Sequence, residues 1–189
     1  SGSLEAQISA ISDDIAYNNH DIQDGIRAKM FNLNDLIEIN FFKDIYKSHR
    51  KNIKNNNKDI LIYQIIRDSI DLMVRDLIKN TKNNLKINKI KSSKDVYQTH
   101  NPIVCFSNKF LNIEKEVKFF LRSKMYNNQK VLLKNNHGKK IVNKLFYKIK
   151  NKPKEFIPVN QLKNDPNRAI ADFISGMTDR YAINLHKNI

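Results

Sequence analysis

The sequence predicts a mostly α-helical protein with at most a small β element. Apolar residues recur every three to four positions along several long segments, which is the period of an amphipathic helix. Only four glycines and four prolines occur among 189 residues, so these segments contain few helix breakers. Polar capping residues precede two of them, with Ser3 before the first and Asp165 before the last.

The first helix is predicted over residues 3–24. Ser3 is a good N-cap, and Glu5 lies in the first turn, where the helix dipole favours an acid. Gly25 is expected to end the helix. One apolar stripe follows from the spacing of three isoleucines: Ile8, Ile11 and Ile15.

The sequence pattern of the next part of the chain predicts a short helix and a long one. The short helix covers about Asn34–Ile39, and the mixed residues 41–59 include a polar run, Lys51–Lys58, expected to be a solvated loop. The long helix covers residues 59–80, and Asp59 is its expected cap. Aliphatic residues that mark its core-facing side are Ile62, Ile65, Ile66, Met73 and Leu77.

The Lys/Asn-rich residues 81–109 contain few periodic apolar positions. Two short stretches in this region are candidate strands, Asn84–Ile90 and Ile103–Phe106. They are the source of the small β element that the prediction allows.

Helices are predicted again over residues 110–126 and 138–150, and Pro153 then breaks the pattern. The last helix is predicted over Asn167–His186, after Asp165-Pro166, which combines an N-cap with a proline at the first helical position. One side of this helix is expected to carry Ile170, Phe173, Ile174, Met177 and Tyr181.

The net charge of +15 is unevenly distributed. Residues 1–40 carry −5, residues 41–155 carry +19 and residues 156–189 carry +1. A bias towards Ile, Lys and Asn also arises from A+T-rich coding DNA on any fold, so the charge alone does not establish a nucleic-acid partner. A single Cys excludes a disulfide scaffold and favours a cytoplasmic location. No segment approaches the roughly 20 apolar residues of a membrane helix, so no membrane partner is expected.

Several familiar catalytic motifs are missing from the sequence. The four glycines are scattered, so they form no Gly-rich phosphate loop. Five histidines show no metal-ligand spacing, and Cys105 lies in an apolar patch where a buried thiol is expected.

The predicted first helix has an unusual second face. Asp13, Tyr17 and Asp21 follow one another at intervals of four residues, which places them along one side of the helix. Ala6 and Ala10 extend this side towards the N-terminus. Acids opposite an apolar stripe are usually solvated surface. The two alanines and the half-apolar Tyr17 favour a binding face instead, because small residues admit close approach and a phenol prefers partial burial.

Both ends of the chain carry distinctive motifs. Near the start are SLEAQ at residues 3–7, DDIAYNNHD at 13–21 and GIRA at 25–28, and near the end is ADFISGMTDRYA at 171–182. In this order they resemble the deoxyguanosine triphosphate triphosphohydrolase (dGTPase) family of the HD superfamily. The resemblance is specific at the two ends and weak in the middle.

The resemblance implies a multi-helix, HD-superfamily-like C-terminal portion that forms one incomplete domain. Residues 1–40 would complete the metal and substrate site, 41–155 would form a basic helical region, and 156–189 would hold the C-terminal helix with the GMTDRYA motif. The N-terminal half of the family's domain has no match in this chain.

Three residues receive roles from the resemblance. Asp13 matches a metal-ligating Asp, while Tyr17 and Asp21 match residues that contact the deoxyribose of a deoxynucleoside triphosphate. An oxygen ligand suits Mg²⁺ or Mn²⁺. The implied reaction is metal-assisted hydrolysis to deoxynucleoside and triphosphate.

The family's first His and its His-Asp pair are unmatched, since His20-Asp21 falls inside the later motif. No catalytic residue is therefore assigned to this chain, which alone is expected to be inactive. The expected partners are the N-terminal half of the same enzyme and, by family analogy, further copies in a homo-oligomer.

Two other functions remain open on the sequence. The basic region 41–155 interleaves lysines with aromatic residues, a combination that suits single-stranded nucleic acid or nucleotide effectors. The aromatic residues considered for stacking are Phe41, Phe42, Tyr46, Tyr97, Phe119, Phe120, Tyr126, Phe146 and Tyr147. The chain could instead be an inactive remnant of a split gene.

Weaker candidates for phosphate contacts are Arg27, Arg180, Lys139 and Lys140, the last two at the start of a predicted helix. Structural ion pairs or a solvated helix end are the expected roles of these residues. Asp179 is expected to lie on a helix surface.

Overall fold

The computed structural model describes residues 1–50 and 58–189, and all regular structure in these ranges is helical. This confirms the mostly α prediction. The α-helices are α1 (Leu4–Arg27), α2 (Leu33–Leu36), α3 (Asn40–Arg50), α4 (Lys58–Ile87), α5 (Ser93–Gln98), α6 (Asn108–Leu121), α7 (Gln129–Asn151), α8 (Pro166–Ser175) and α9 (Asp179–Asn188). A π-helical turn, Arg122–Tyr126, follows α6, and a short 3-10 turn, Pro153–Glu155, follows α7.

Helix α1 begins as predicted but ends later. The Ser3 hydroxyl accepts a hydrogen bond from the amide of Ala6 at 3.2 Å, which confirms the cap. The predicted stop at Gly25 is wrong, because the helix continues to Arg27 and Gly25 is buried within it. The Phe31 ring packs so closely that an added Cβ on Gly25 would lie 2.2 Å from Phe31 Cε1. Gly25 is therefore needed because it leaves room for the Phe31 ring, and not because it ends the helix.

The mixed residues after α2 form a helix of their own, α3, which the sequence pattern missed. The short helix α2 begins with a capping box, in which the Asn32 side chain and the Asp35 carboxylate accept each other's backbone N–H groups. The predicted loop Lys51–Lys58 lies outside the described residues except for Lys58, where α4 begins.

Helix α4 is longer than predicted and continues to Ile87. Its buried residues include four of the five predicted aliphatics, whereas Ile62 is half-buried. The candidate strand Asn84–Ile90 is wrong, because its first four residues form the last turn of α4.

The second candidate strand, Ile103–Phe106, is also wrong, although its backbone is hydrogen-bonded. The Gln7 side-chain oxygen accepts from the amides of Ile103 and Val104 at 2.8 and 3.0 Å. The side-chain amide of Asn80 on α4 donates to the backbone carbonyl of Cys105, and that of Asn84 donates to the carbonyl of Ile103, both at 2.9 Å. Helix side chains therefore satisfy the backbone groups that a neighbouring strand would otherwise have to satisfy.

Residues 1–128 form one compact unit, and α1, α3, α4 and α6 supply most of its apolar core. Phe31 packs edge-on against Phe120, with ring centroids 4.8 Å apart. Each fully buried side chain of this size contributes about 1.5–3 kcal/mol to folding. Residues with less than a tenth of their surface exposed include Ile22, Leu36, Phe42, Ile65, Met73, Val104, Val117 and Leu121.

Residues 129–189 form the second compact unit, in which α7 packs against α8 and α9. Asp165 and Pro166 start α8 as predicted, and the Asp165 side chain accepts from the amide of Arg168. The single long helix expected over Asn167–His186 is wrong, because the chain is interrupted after Ser175 and restarts with Thr178 as a new N-cap. The core of this unit comprises Ile141, Leu145, Ile149, Ile157 and Ile170.

Tyr181 was expected on the buried side of the last helix, but it lies in the separate helix α9 and about half of its surface is exposed. Within the described part of the chain, no helix combines the length and the apolar character that crossing a membrane requires.

Candidate active-site face on helix α1

The structure places the three predicted site residues on one side of α1, as their spacing requires. Asp13 is exposed, and Tyr17 has 63% of its surface exposed. Asp21, two turns beyond Asp13, is half-buried. Ala6 and Ala10 on the same face are also exposed, so this side of the helix is open to whatever binds it. We call the surface formed by Asp13, Tyr17 and Asp21 the α1 acidic face.

Asp21 has a partner that is distant in sequence. The hydroxyl of Tyr126, in the π-helical turn after α6, donates a hydrogen bond to the Asp21 carboxylate. Partial burial, followed by this hydrogen bond and the charges of Asp21 and Tyr17, raises the pKa of Tyr126 above its usual value. The hydroxyl therefore keeps its proton at neutral pH and remains a donor to Asp21.

Asp14, the neighbour of Asp13, pairs with a lysine of α6. The Lys118 ammonium lies 2.9 Å from the Asp14 carboxylate and 2.7 Å from that of Glu114. Partial burial lowers the pKa of Lys118, but the hydrogen bonds to Glu114 and Asp14 outweigh it, and the pKa is raised overall. Lys118 therefore stays charged and pairs with Asp14, whereas Asp13 is the acid of the α1 acidic face at this end of the helix.

A metal centre needs more ligands than this face provides. Among residues 1–50 and 58–189, no group of three or more His, Cys, Asp or Glu side chains could hold a metal ion. Asp13 offers one carboxylate of the type that Mg²⁺ and Mn²⁺ prefer. Asp13 thus fits as a single ligand, and the remaining ligands would have to come from outside the described residues.

The other residues singled out from the sequence lie elsewhere. Arg27 pairs with Asp24 at 3.6 Å on the exposed end of α1, as expected for a structural ion pair. Lys139 and Lys140 were predicted at a helix start but lie in the middle of α7. The GMTDRYA motif begins at Gly176, the C-cap of α8, and continues through a short turn into the start of α9.

Asp179 and Arg180 lie in the first turn of α9, and both are exposed. Cys105 is half-buried rather than fully buried. Its sulfur lies 3.2 Å from the Asn84 side-chain nitrogen and 3.6 Å from that of Asn80.

Sequence reasoning missed Tyr126, which binds Asp21 of the α1 acidic face, and Lys118, which binds the neighbouring Asp14. Neither residue is close to α1 in sequence, since the Tyr126–Asp21 pair is separated by 105 residues. Both lie in the basic region 41–155, which contains many lysines and several tyrosines, so nothing in the sequence distinguishes these two from the others.

Comparison with known proteins first relates the C-terminal part of this chain to phosphohydrolases. Residues 104–188 match the family model described as phosphohydrolase-associated domain. This places all of α6 to α9 and the Tyr126 turn within a region associated with phosphohydrolases.

Individual relatives carry a more specific name. The chain is 88% identical over all 189 residues to a deoxyguanosinetriphosphate triphosphohydrolase-like protein of Pelagibacter ubique (strain HTCC1062), and it covers 51% of that protein. Proteins with the same name in Bartonella henselae and Leptospira interrogans are 37% and 35% identical over 98% and 99% of this chain. These findings confirm the resemblance to the dGTPase-like family. The chain spans about half the length of the curated relatives it matches.

Proposed function

We propose that this chain is the C-terminal part of a deoxynucleoside triphosphate triphosphohydrolase, with dGTP as the first substrate to test. The observation that supports this most is the α1 acidic face, where Asp13, Tyr17 and Asp21 stand one turn apart and Tyr126 holds Asp21. The names of the relatives support a triphosphohydrolase, and the coverage of about half their length supports a missing part.

In this proposal Asp13 supplies one oxygen ligand to Mg²⁺ or Mn²⁺, and the N-terminal half supplies the others. A divalent metal there would polarise a phosphoryl oxygen and lower the pKa of bound water. Water attack at the α-phosphorus breaks the bond to the sugar oxygen, which takes up a proton. The products are a deoxynucleoside and triphosphate.

Tyr17 and Asp21 bind the sugar in the same proposal. The exposed Tyr17 ring offers an apolar surface to the deoxyribose face, and a ring packed there leaves no room for a 2′-hydroxyl. Asp21 accepts from the 3′-hydroxyl. An ionised carboxylate has about four acceptor positions, so Asp21 can accept from the sugar while it still accepts from Tyr126.

The decisive experiment measures triphosphate release from dGTP with Mg²⁺ or Mn²⁺, using this chain alone, the N-terminal half alone, and the two together. We expect activity only when both halves are present, because the described residues contain no group of three or more side chains that could hold the metal beside Asp13. Full activity of this chain alone would contradict the shared site. No activity of the combined halves on any of the four dNTPs would favour the inactive-remnant alternative.

The nucleic-acid alternative has less support from the side chains. Two of the aromatic residues proposed for base stacking, Phe42 and Phe120, are buried in the core. Tyr97, Phe119 and Tyr147 have more than half of their surfaces exposed and remain candidates. Binding to labelled single-stranded DNA should weaken steeply between 50 and 200 mM salt, roughly the range over which phosphate contacts are lost. A flat salt dependence would remove this alternative.

A further inference from the structure

A polar groove in the first unit has no role in the proposed reaction. It lies between the C-terminal half of α4 and Ser107, the N-cap residue of α6, and its volume is about 620 Å³. The described residues that line it all carry polar or charged side chains: Asp76, Lys79, Asn80, Lys82, Asn83, Lys86 and Ser107. Most binding pockets are lined by apolar side chains, so a lining of this kind favours a ligand recognised by charge and hydrogen bonds.

Three lysines of α4 give the groove its positive charge. Lys79, Lys82 and Lys86 follow one another at intervals of three and four residues, so they lie along one side of the helix over about 10 Å. All three are exposed, and in the described part of the chain none of them forms an ion pair. Other lysines of this unit, such as Lys118 and Lys124, pair with acids. The ammonium groups of the groove are therefore available to an external anion.

The acid among these lining residues is already bound by the protein. One carboxylate oxygen of Asp76 accepts from the Ser107 backbone amide at 2.9 Å, and the other accepts from the Ser107 hydroxyl at 2.7 Å. Asp76 thus holds the start of α6 against α4. Three lysines and one acid leave the lining with a net charge of +2. The exposed side-chain amide of Asn83 adds N–H donors that suit an anionic oxygen.

The arrangement of these groups favours one class of anion. Lysine ammonium groups bind phosphate as point charges, and a row of them along a helix suits an anion whose charges also follow a line. A single phosphate group would have to draw the three ammonium groups together against their mutual repulsion. No aromatic ring is present among the described lining residues to stack on a base, which disfavours a single-stranded nucleic acid.

We propose that this groove binds a linear polyphosphate through Lys79, Lys82 and Lys86. Inorganic triphosphate and the triphosphate chain of a nucleotide share this chemistry. The groove and the α1 acidic face have no residue in common, so the proposal is independent of the proposed function. It also needs no metal ligand from Asp13, and binding can therefore be measured on this chain alone.

Isothermal titration of the 189-residue chain with inorganic triphosphate tests the site. The buffer is free of metal and of low ionic strength, because salt screens exposed charges. We expect the affinity to fall by about 10-fold or more in the triple variant Lys79→Gln, Lys82→Gln, Lys86→Gln, since each exposed ion pair contributes a factor of up to about five. Circular dichroism checks that the variant retains its helices.

The matched control removes the same charge from three exposed lysines of this unit that do not line the groove: Lys43→Gln, Lys94→Gln and Lys115→Gln. It should bind triphosphate about as tightly as the unaltered chain. The proposal is overturned if the unaltered chain does not bind triphosphate, or if the groove variant binds it as tightly as this control.

Three further ligands separate the sources of phosphate. We expect dGTP to bind about as tightly as inorganic triphosphate and orthophosphate to bind much more weakly, because the phosphate chain is what the lysines recognise. Equal binding of orthophosphate and triphosphate would overturn the proposal. So would tighter binding of single-stranded DNA that is lost in the groove variant, because nucleic acid would then be the ligand.

Discussion

The Tyr126 hydroxyl donates to the Asp21 carboxylate, and this bond joins the π-helical turn after α6 to the C-terminal third of α1. π-helical turns frequently occur at functional sites, where the altered helix geometry redirects a side chain. Here the turn ends at Tyr126 itself, which supplies the donor to Asp21. The bond links the fold of the first unit to the orientation of a predicted sugar-binding residue.

Replacing Tyr126 with Phe removes that donor and leaves the half-buried Asp21 carboxylate without its bond. We expect the free energy of unfolding to fall by about 2 kcal/mol, the range for a hydrogen bond to a charged group. Urea denaturation followed by circular dichroism measures this loss. Tyr17→Phe is the matched control, because the same hydroxyl is removed from a ring that is mostly exposed. Equal stabilities of the two variants would contradict the bond.

Asp13→Asn should leave stability unchanged within about 0.5 kcal/mol, because an exposed surface carboxylate contributes little to folding. With the N-terminal half present, triphosphate release should fall by more than about 100-fold, beyond the usual loss for residues that only orient a metal ligand. Asp24→Asn, an exposed acid of the same helix, is the control and should retain activity. Near-normal activity of Asp13→Asn would exclude Asp13 as a metal ligand.

The two helical glycines Gly25 and Gly138 should respond in opposite directions to replacement by Ala. At Gly25 the new methyl would overlap the Phe31 ring, and overpacking of this kind costs about 1–3 kcal/mol. At Gly138 nothing lies within 4 Å of the added methyl, so helix propensity alone should stabilise α7 by about 0.5–1 kcal/mol. Thermal unfolding of both variants checks the prediction, and a stable Gly25→Ala would show that the ring can move aside.

Acid should weaken the first unit partly through Asp35. The backbone amide of Asn32, followed by the Lys124 ammonium at 3.1 Å, lowers the pKa of Asp35 below its usual 3.8. A carboxyl with a lowered pKa in the folded state stabilises the protein above the pKa of the unfolded chain. That stabilisation disappears as the pH falls through the folded value.

Asp35→Asn should therefore cost about 1 kcal/mol at pH 7, as capping losses typically do, and progressively less below about pH 4. Urea unfolding at pH 7, 5 and 3 gives the difference between variant and unaltered chain. A difference that stays constant down to pH 3 would show that the charge of Asp35 is not responsible.

Local signals were sufficient for much of the fold. Ser3 and Asp165 have side-chain oxygens that cap a helix, and both helices begin where these residues predict. Gly25 was misinterpreted because a glycine that ends a helix and one that admits a ring are identical in sequence, and only the position of Phe31 distinguishes them. The break between α8 and α9 was missed because the apolar period continues across Thr178, whose hydroxyl nevertheless caps a new helix.

The candidate site was predictable only where it lies on one helix. The positions of Asp13, Tyr17 and Asp21 follow from helical geometry, whereas Tyr126 reaches Asp21 through the tertiary fold. The extended residues 103–106 were wrongly predicted as a strand because their contacts are also tertiary. Apolar β-branched residues such as Ile103 and Val104 favour an extended backbone, but the pattern does not reveal that helix side chains will bind it.

Gln7 places a limit on when the first unit can finish folding during synthesis. Its side-chain oxygen binds backbone amides that lie 96 and 97 positions later in the chain. Helix α1 therefore leaves the ribosome long before these amides exist, and its contacts with the extended segment form only after α4 and α5 have been made. Closure of the first unit is a late, non-local event, and contacts of such long sequence separation slow folding.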